Sequence, residues 1–103
     1  IEYLEKADIE DNVLGSIAIG SIGDCYVDLG EYEADLKYFN KAVSHSKNSF
    51  TAPIYLNKGA IANEMLGQFA KAADKYKTIL EKYPESPEAG KVKKNLARVE
   101  QLQ

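Results

Sequence analysis

Few side chains in this sequence could do chemistry. Among 103 residues there is one histidine, His45, and one cysteine, Cys25. A His-based zinc site or a catalytic triad is not expected from so little material. His45 falls near the C-terminal end of a helical stretch, where the helix dipole favours a cation, so a capping or solvated role is predicted. Cys25 has Asp24 beside it, whereas a reactive thiolate wants Lys, Arg or a helix N-terminus. It is predicted to be a small buried residue on the helix-packing side next to Tyr26. Gly15, Gly20 and Gly23 lie inside a helical pattern, with neither a preceding strand nor a following Lys-Ser/Thr, so they form no phosphate loop. Glu31 and Glu33 read as a solvated helix start, where acids suit the dipole. No catalytic residue, metal site or cofactor is expected, and the chain does not read as an enzyme.

Composition narrows the function further. Thirteen bases face sixteen acids, for a net charge of −3. A general nucleic-acid binder would show a basic excess instead. One cysteine allows no internal disulfide framework. No run approaches the ~18 apolar residues of a membrane span, so direct membrane insertion of this segment is not expected. Charge is unevenly placed: residues 1–52 hold ten acids and four bases, and residues 53–103 hold six acids and nine bases. Such unlike ends could meet head to tail in a weak, salt-sensitive self-association. Lys91-Val92-Lys93-Lys94 with Arg98 is the densest basic cluster, read as a solvated helix face or as a docking surface for an acidic segment.

The elements that carry these residues are helices. Ile19, Ile22, Tyr26 and Leu29 share one face of a helix from about Val13 to Leu29. Tyr32, Leu36, Phe39 and Val43 mark a second. Leu56, Ala60, Ile61, Met65 and Leu66 mark a third, from about Phe50 to Leu66. Phe69, Ala72, Ala73, Tyr76, Ile79 and Leu80 mark a fourth. Ala89, Val92, Leu96 and Val99 mark a fifth, opened by Ser86 as N-cap and Pro87 at the first helical position. Residues 1–7 read as the tail of an earlier helix in something longer, with a polar linker at 8–12. Ser44 to Ser49 reads as another linker. Gly30 and Gly67 stand where helix-ending glycines belong. Leu29-Gly30-Glu31-Tyr32 and Leu66-Gly67-Gln68-Phe69 repeat one pattern 37 residues apart, a period that signals a repeat architecture.

Paired helices with this turn and period resemble the tetratricopeptide repeat (TPR). Gly23, Tyr26, Tyr32, Phe39 and Ala42 carry the resemblance in one unit. Leu56, Ala60, Gly67, Phe69, Ala72, Tyr76 and Pro84 carry it in the next. The resemblance implies an all-α, right-handed solenoid of antiparallel helix pairs, with two full repeats and flanking helices. Its segments would be 1–12, a preceding tail and linker; 13–48 and 49–85, the two repeats; and 86–103, a cap or the first helix of a further repeat. Lys82-Tyr83-Pro84-Glu85-Ser86-Pro87-Glu88-Ala89 is similar to a subgroup common in bacterial envelope proteins, which points to a bacterial source and leaves the compartment open between the cytoplasm and the bacterial periplasm or envelope.

In that family the first helix of each pair lines a concave surface that holds a peptide or protein segment. The resemblance therefore nominates a groove of Ile17, Asp24 and Asp28, then Asn57, Lys58, Ile61 and Glu64, then Lys91, Asn95 and Arg98. Gly20 and Asp24 stand where some members place Lys and Asn to clamp a carboxylate, so that clamp is not expected. The implied function is a non-catalytic protein-binding scaffold. The alternative is a structural spacer or self-association module.

Three positions depart from the pattern. Asp35 stands where the family prefers Ala. It is expected either to sit at the helix edge, reaching water or the Tyr26 hydroxyl, or to strain the first unit as a buried carboxylate. Gly59 and Asn63 replace larger apolar residues, and glycine inside a helix costs about 1 kcal/mol relative to Ala. The third helix is accordingly expected to be the least rigid.

Overall fold

Five helices follow one another along the chain: α1 (Glu2–Asp28), α2 (Tyr32–His45), α3 (Thr51–Met65), α4 (Phe69–Lys82) and α5 (Pro87–Leu102). The computed structural model describes the backbone of residues 2–46 and 48–103, and the side chains from residue 11 onward except those of Asp28 and Lys47. The described residues include no strand, and none of their helices is long and apolar enough to cross a membrane. α1 runs unbroken through 8–12, where a linker was expected. That stretch, Asp8-Ile9-Glu10-Asp11-Asn12, contains no Gly or Pro, and polarity alone does not stop a helix.

The helix boundaries repeat at 37 residues. α1, α3 and α5 end at Asp28, Met65 and Leu102, while α2 and α4 start at Tyr32 and Phe69 and end at His45 and Lys82. The two glycine turns have the same construction. Gly30 and Gly67 both adopt φ +74°, a conformation that costs glycine little. The Gly30 N–H donates to the Val27 carbonyl at 2.9 Å and the Glu31 N–H to that of Tyr26 at 2.9 Å. The Gly67 and Gln68 N–H groups do the same to Glu64 and Asn63, at 2.9 and 2.8 Å. Each turn thus satisfies two orphan carbonyls of the helix it ends. At the 46–50 loop, Asn48 Oδ1 accepts from the Phe50 and Thr51 N–H groups, each at 2.8 Å, and so starts α3. Ser86 caps α5 by accepting from the Ala89 N–H at 3.3 Å, with Pro87 in the first turn.

Each helix packs on the next. In addition α1 touches α3 and α3 touches α5, whereas α2 and α4 do not meet. The odd helices therefore form the close-set inner layer, and the even helices splay on the outer side of the curve. Small residues permit the close approach. A Cβ added at Gly20 would lie 2.1 Å from Tyr55 Cε1, and one at Gly23 would lie 2.7 Å from Phe39 Cε1.

One apolar cluster joins α3, α4 and α5 through Leu56, Ala60, Tyr76, Ile79, Val92 and Val99. Another joins α2 to α3 through Phe39, Ala42 and Tyr55. Burying each large side chain contributes roughly 1.5–3 kcal/mol. α3 touches all four other helices. The missing side chain of its Gly59 leaves room for a neighbour from α4. The stem of Lys75 crosses the glycine, 3.2 Å from where a Cβ would sit.

One expectation about a buried position is overturned, and the two alternatives for Asp35 are decided. Cys25 is exposed rather than packed. Gly23, which faces Phe39, lies two residues before it, about 200° around the helix. Cys25 therefore points away from the packed side. Asp35 does not reach the helix edge: its exposure is 0%, and neither carboxylate oxygen has a partner, Tyr26 included.

Candidate functional site

The inner layer sets side chains of α1, α3 and α5 into rows at the 37-residue register. One row is Asp24, Ile61 and Arg98, and another is Ile17, Ile54 and Lys91. Ion pairs cross between helices beside these rows. Lys58 Nζ of α3 lies 2.7 Å from Asp24 Oδ1 of α1. Arg98 Nη1 of α5 lies 2.5 Å from Glu64 Oε1 of α3. Four residues nominated from sequence are thus brought together as two inter-helix pairs.

The pairs differ in depth. The Asp24 and Lys58 side chains are 48% and 37% exposed, which places the pair in the range where surface salt bridges contribute ~0–1 kcal/mol. Lys58 is also held over the rings of Phe39 and Tyr55, 5.8 Å from each centroid. The Glu64 side chain is only 11% exposed. Its Oε2 accepts the Tyr76 hydroxyl at 2.5 Å, so a single carboxylate links α3, α4 and α5. Burial, and then the Glu64 bond, push the Tyr76 phenol well above its usual range.

Between and beside these pairs the surface is apolar and open. Ile17 is 44% exposed and Ile61 46%. Met65, at 56%, lies one turn beyond Ile61, and Leu102, at 51%, lies one turn beyond Arg98. Met65 and Leu102 were not nominated from sequence, although the spacing of four from Ile61 and Arg98 marks them. Lys91 is exposed and Asn95 half-buried at the basic end. Asn57 is half-buried, and its Oδ1 is covered without a hydrogen-bond partner. The side chain of Asp28 lies outside the described residues.

The polar residues of α3 and α4 form a second network behind this surface. Lys75 donates to Asn63 Oδ1, and Asn63 Nδ2 donates to Gln68 Oε1 at 2.8 Å. Burial first, and then the charge of Lys71, lower the Lys75 pKa, with Asp74 acting in the opposite direction. His45 is exposed in the last turn of α2, and its backbone carbonyl accepts from Asn12 Nδ2 at 2.5 Å. Among the described residues, no group of three or more His, Cys, Asp or Glu could hold a metal ion.

The geometry is therefore that of a shallow surface with exposed aliphatic side chains and internally neutralised charges. It can bury apolar groups of another chain and exchange polar contacts at its rim. No family model and no curated protein matches the chain.

Proposed function

We propose that this protein is a TPR-type scaffold that binds a peptide or protein segment on the surface lined by α1, α3 and α5. The observation that carries this reading is the exposure of Ile17, Ile61 and Met65 on the inner helices. They stand beside charges already paired across the same helices. Paired charges keep a groove soluble without demanding a strongly charged ligand, and exposed aliphatic residues reward an apolar segment. The 37-residue repetition of helix ends and glycine turns supports the TPR assignment. The phrase from Lys82 to Ala89 is what favours the bacterial envelope subgroup within it.

Selection of binders from a random peptide library tests the proposal. Selected peptides should carry aliphatic or aromatic anchors. Ile61→Glu should weaken their binding at least tenfold and leave the melting temperature within about 2 °C, since surface changes cost little stability. Equal affinity for Ile61→Glu and the parent chain would exclude this surface.

A further inference from the structure

Met65 is the only methionine of the chain. It closes α3, the helix that touches all four others and has α1 and α5 on its two sides in the inner layer. Its 56% exposure is kept with those neighbours in place. Neither apolar cluster includes it. The fold thus makes little use of this side chain, whereas the binding surface has it one turn beyond the exposed Ile61. A thioether suits such a place, because its unbranched stem and polarizable sulfur adapt to apolar partners of different shape. The same sulfur can be oxidised under mild conditions, which the aliphatic side chains of Ile17 and Ile61 resist.

Building on the binding surface proposed above, we propose that Met65 is an oxidation switch for it: a peroxide converts the thioether to the sulfoxide and weakens capture of an apolar segment without unfolding the protein. The sulfur donates an electron pair to one peroxide oxygen, so an S–O bond forms as the O–O bond breaks. The departing hydroxide takes the proton from the transferred oxygen and leaves as water. Sulfur is oxidised by two electrons and the peroxide is reduced by two, so no further reactant is needed. The product side chain is polar and chiral. Its oxygen is an acceptor that water satisfies on the free surface. An apolar anchor seated over Met65 strips that water and offers no donor in return. Stability is spared because Met65 is more than half exposed and outside both clusters. An exposed sulfoxide is also open to enzymatic reduction, which makes the switch reversible.

The test uses the Cys25→Ser protein, in which Met65 holds the only sulfur, because the exposed Cys25 would itself be oxidised. The ligand is a library-selected peptide free of Met and Cys. Hydrogen peroxide should add one oxygen at Met65, located by mass spectrometry of proteolytic fragments. The oxidised protein should bind the peptide at least tenfold more weakly and keep its melting temperature within about 2 °C, as surface changes do. The two methionine sulfoxide reductases, one for each epimer, should together restore the affinity. Saturating peptide should slow the oxidation several-fold. Met65→Gln should weaken binding as oxidation does, and the affinity of Met65→Leu should be the same before and after peroxide. Equal affinity of the oxidised and reduced proteins would overturn the proposal and leave the binding surface standing. So would an equal loss on oxidation in Met65→Leu, or a fall in melting temperature that made unfolding the cause. Failure to select any peptide would remove the surface itself and the switch with it.

Discussion

Tyr26 and Tyr38 stack between α1 and α2, with ring centroids 5.5 Å apart and planes 12° from parallel. Thirty-seven residues on, the same two places hold Asn63 and Lys75, joined by a hydrogen bond. The two units thus tie their helices at one register point by different chemistry. Asn63 is 0% exposed, and Lys75, half-buried, has Asn63 as its hydrogen-bonded acceptor. Asn63→Ala should therefore destabilise the protein by about 1–3 kcal/mol, the cost of a buried polar group left unmatched. Lys75→Met in the Asn63→Ala background should recover part of that loss in urea denaturation. A double variant as unstable as the sum of the singles would mean that the pair is not coupled.

Asp35 should be a weak point of the first unit. It occupies the register position of Ala72, and both residues are 0% exposed. Burial raises its carboxyl pKa first, with Asp24 adding to the rise, while the Leu36 N–H favours the charged form without reaching hydrogen-bond geometry. A raised acid pKa means that the folded state holds the proton more tightly than the unfolded chain does. The resulting penalty is complete above the folded pKa and fades as pH falls toward 3.8, the ordinary carboxyl value. Asp35→Ala should raise the melting temperature by several degrees at pH 7, given ~4–8 °C per kcal/mol for a small domain. Thermal melts between pH 7 and pH 4 should show that advantage shrinking. An advantage that grew in acid would contradict this reading.

Gly20 should reject any side chain. Glycine to alanine inside a helix ordinarily gains about 1 kcal/mol. Here the new Cβ would meet the Tyr55 ring. Gly20→Ala is expected to destabilise by about 1–3 kcal/mol, the range of overpacking. Gly90, where an added Cβ meets nothing within 4 Å, is the control, and Gly90→Ala should stabilise. Chemical denaturation of the two variants should give opposite signs, and equal signs would contradict the packing described for α1 against α3.

Glu64 should matter more through Tyr76 than through Arg98. The Tyr76 hydroxyl bond is buried, whereas the Arg98 side chain is 51% exposed. Tyr76→Phe should cost about 1.5–3 kcal/mol, as expected for a bond to a charged acceptor. Arg98→Ala should cost less, because solvent and salt screen it. Urea midpoints at low and high salt would check the order, and a larger effect of Arg98→Ala would reverse it.

Helix positions were largely legible in the sequence because apolar spacing and the Gly30 and Gly67 turns are local signals. The start of α1 was not, since the polar run at 8–12 resembles a linker while still permitting helix. Cys25 misled because a small residue beside Gly23 and Tyr26 suggests packing, although its angle around the helix puts it outside. Among the groove candidates, the sequence placed Asp24, Lys58, Glu64 and Arg98 on the correct helices. It could not show that they pair with one another, because a pairing across α1, α3 and α5 depends on three-dimensional register. Met65 and Leu102 were missed as ordinary helix-end apolar residues. Asp35 was visible as an anomaly, but its full burial depends on neighbours distant in sequence.

The claim that α1, α3 and α5 form the binding surface is tested most directly by mapping amide shifts when a library-selected peptide is titrated into the labelled protein. Shifts should centre on Ile17, Ile61 and Met65, with smaller changes at Lys58 and Arg98. Shifts confined to α2 and α4 would contradict that claim.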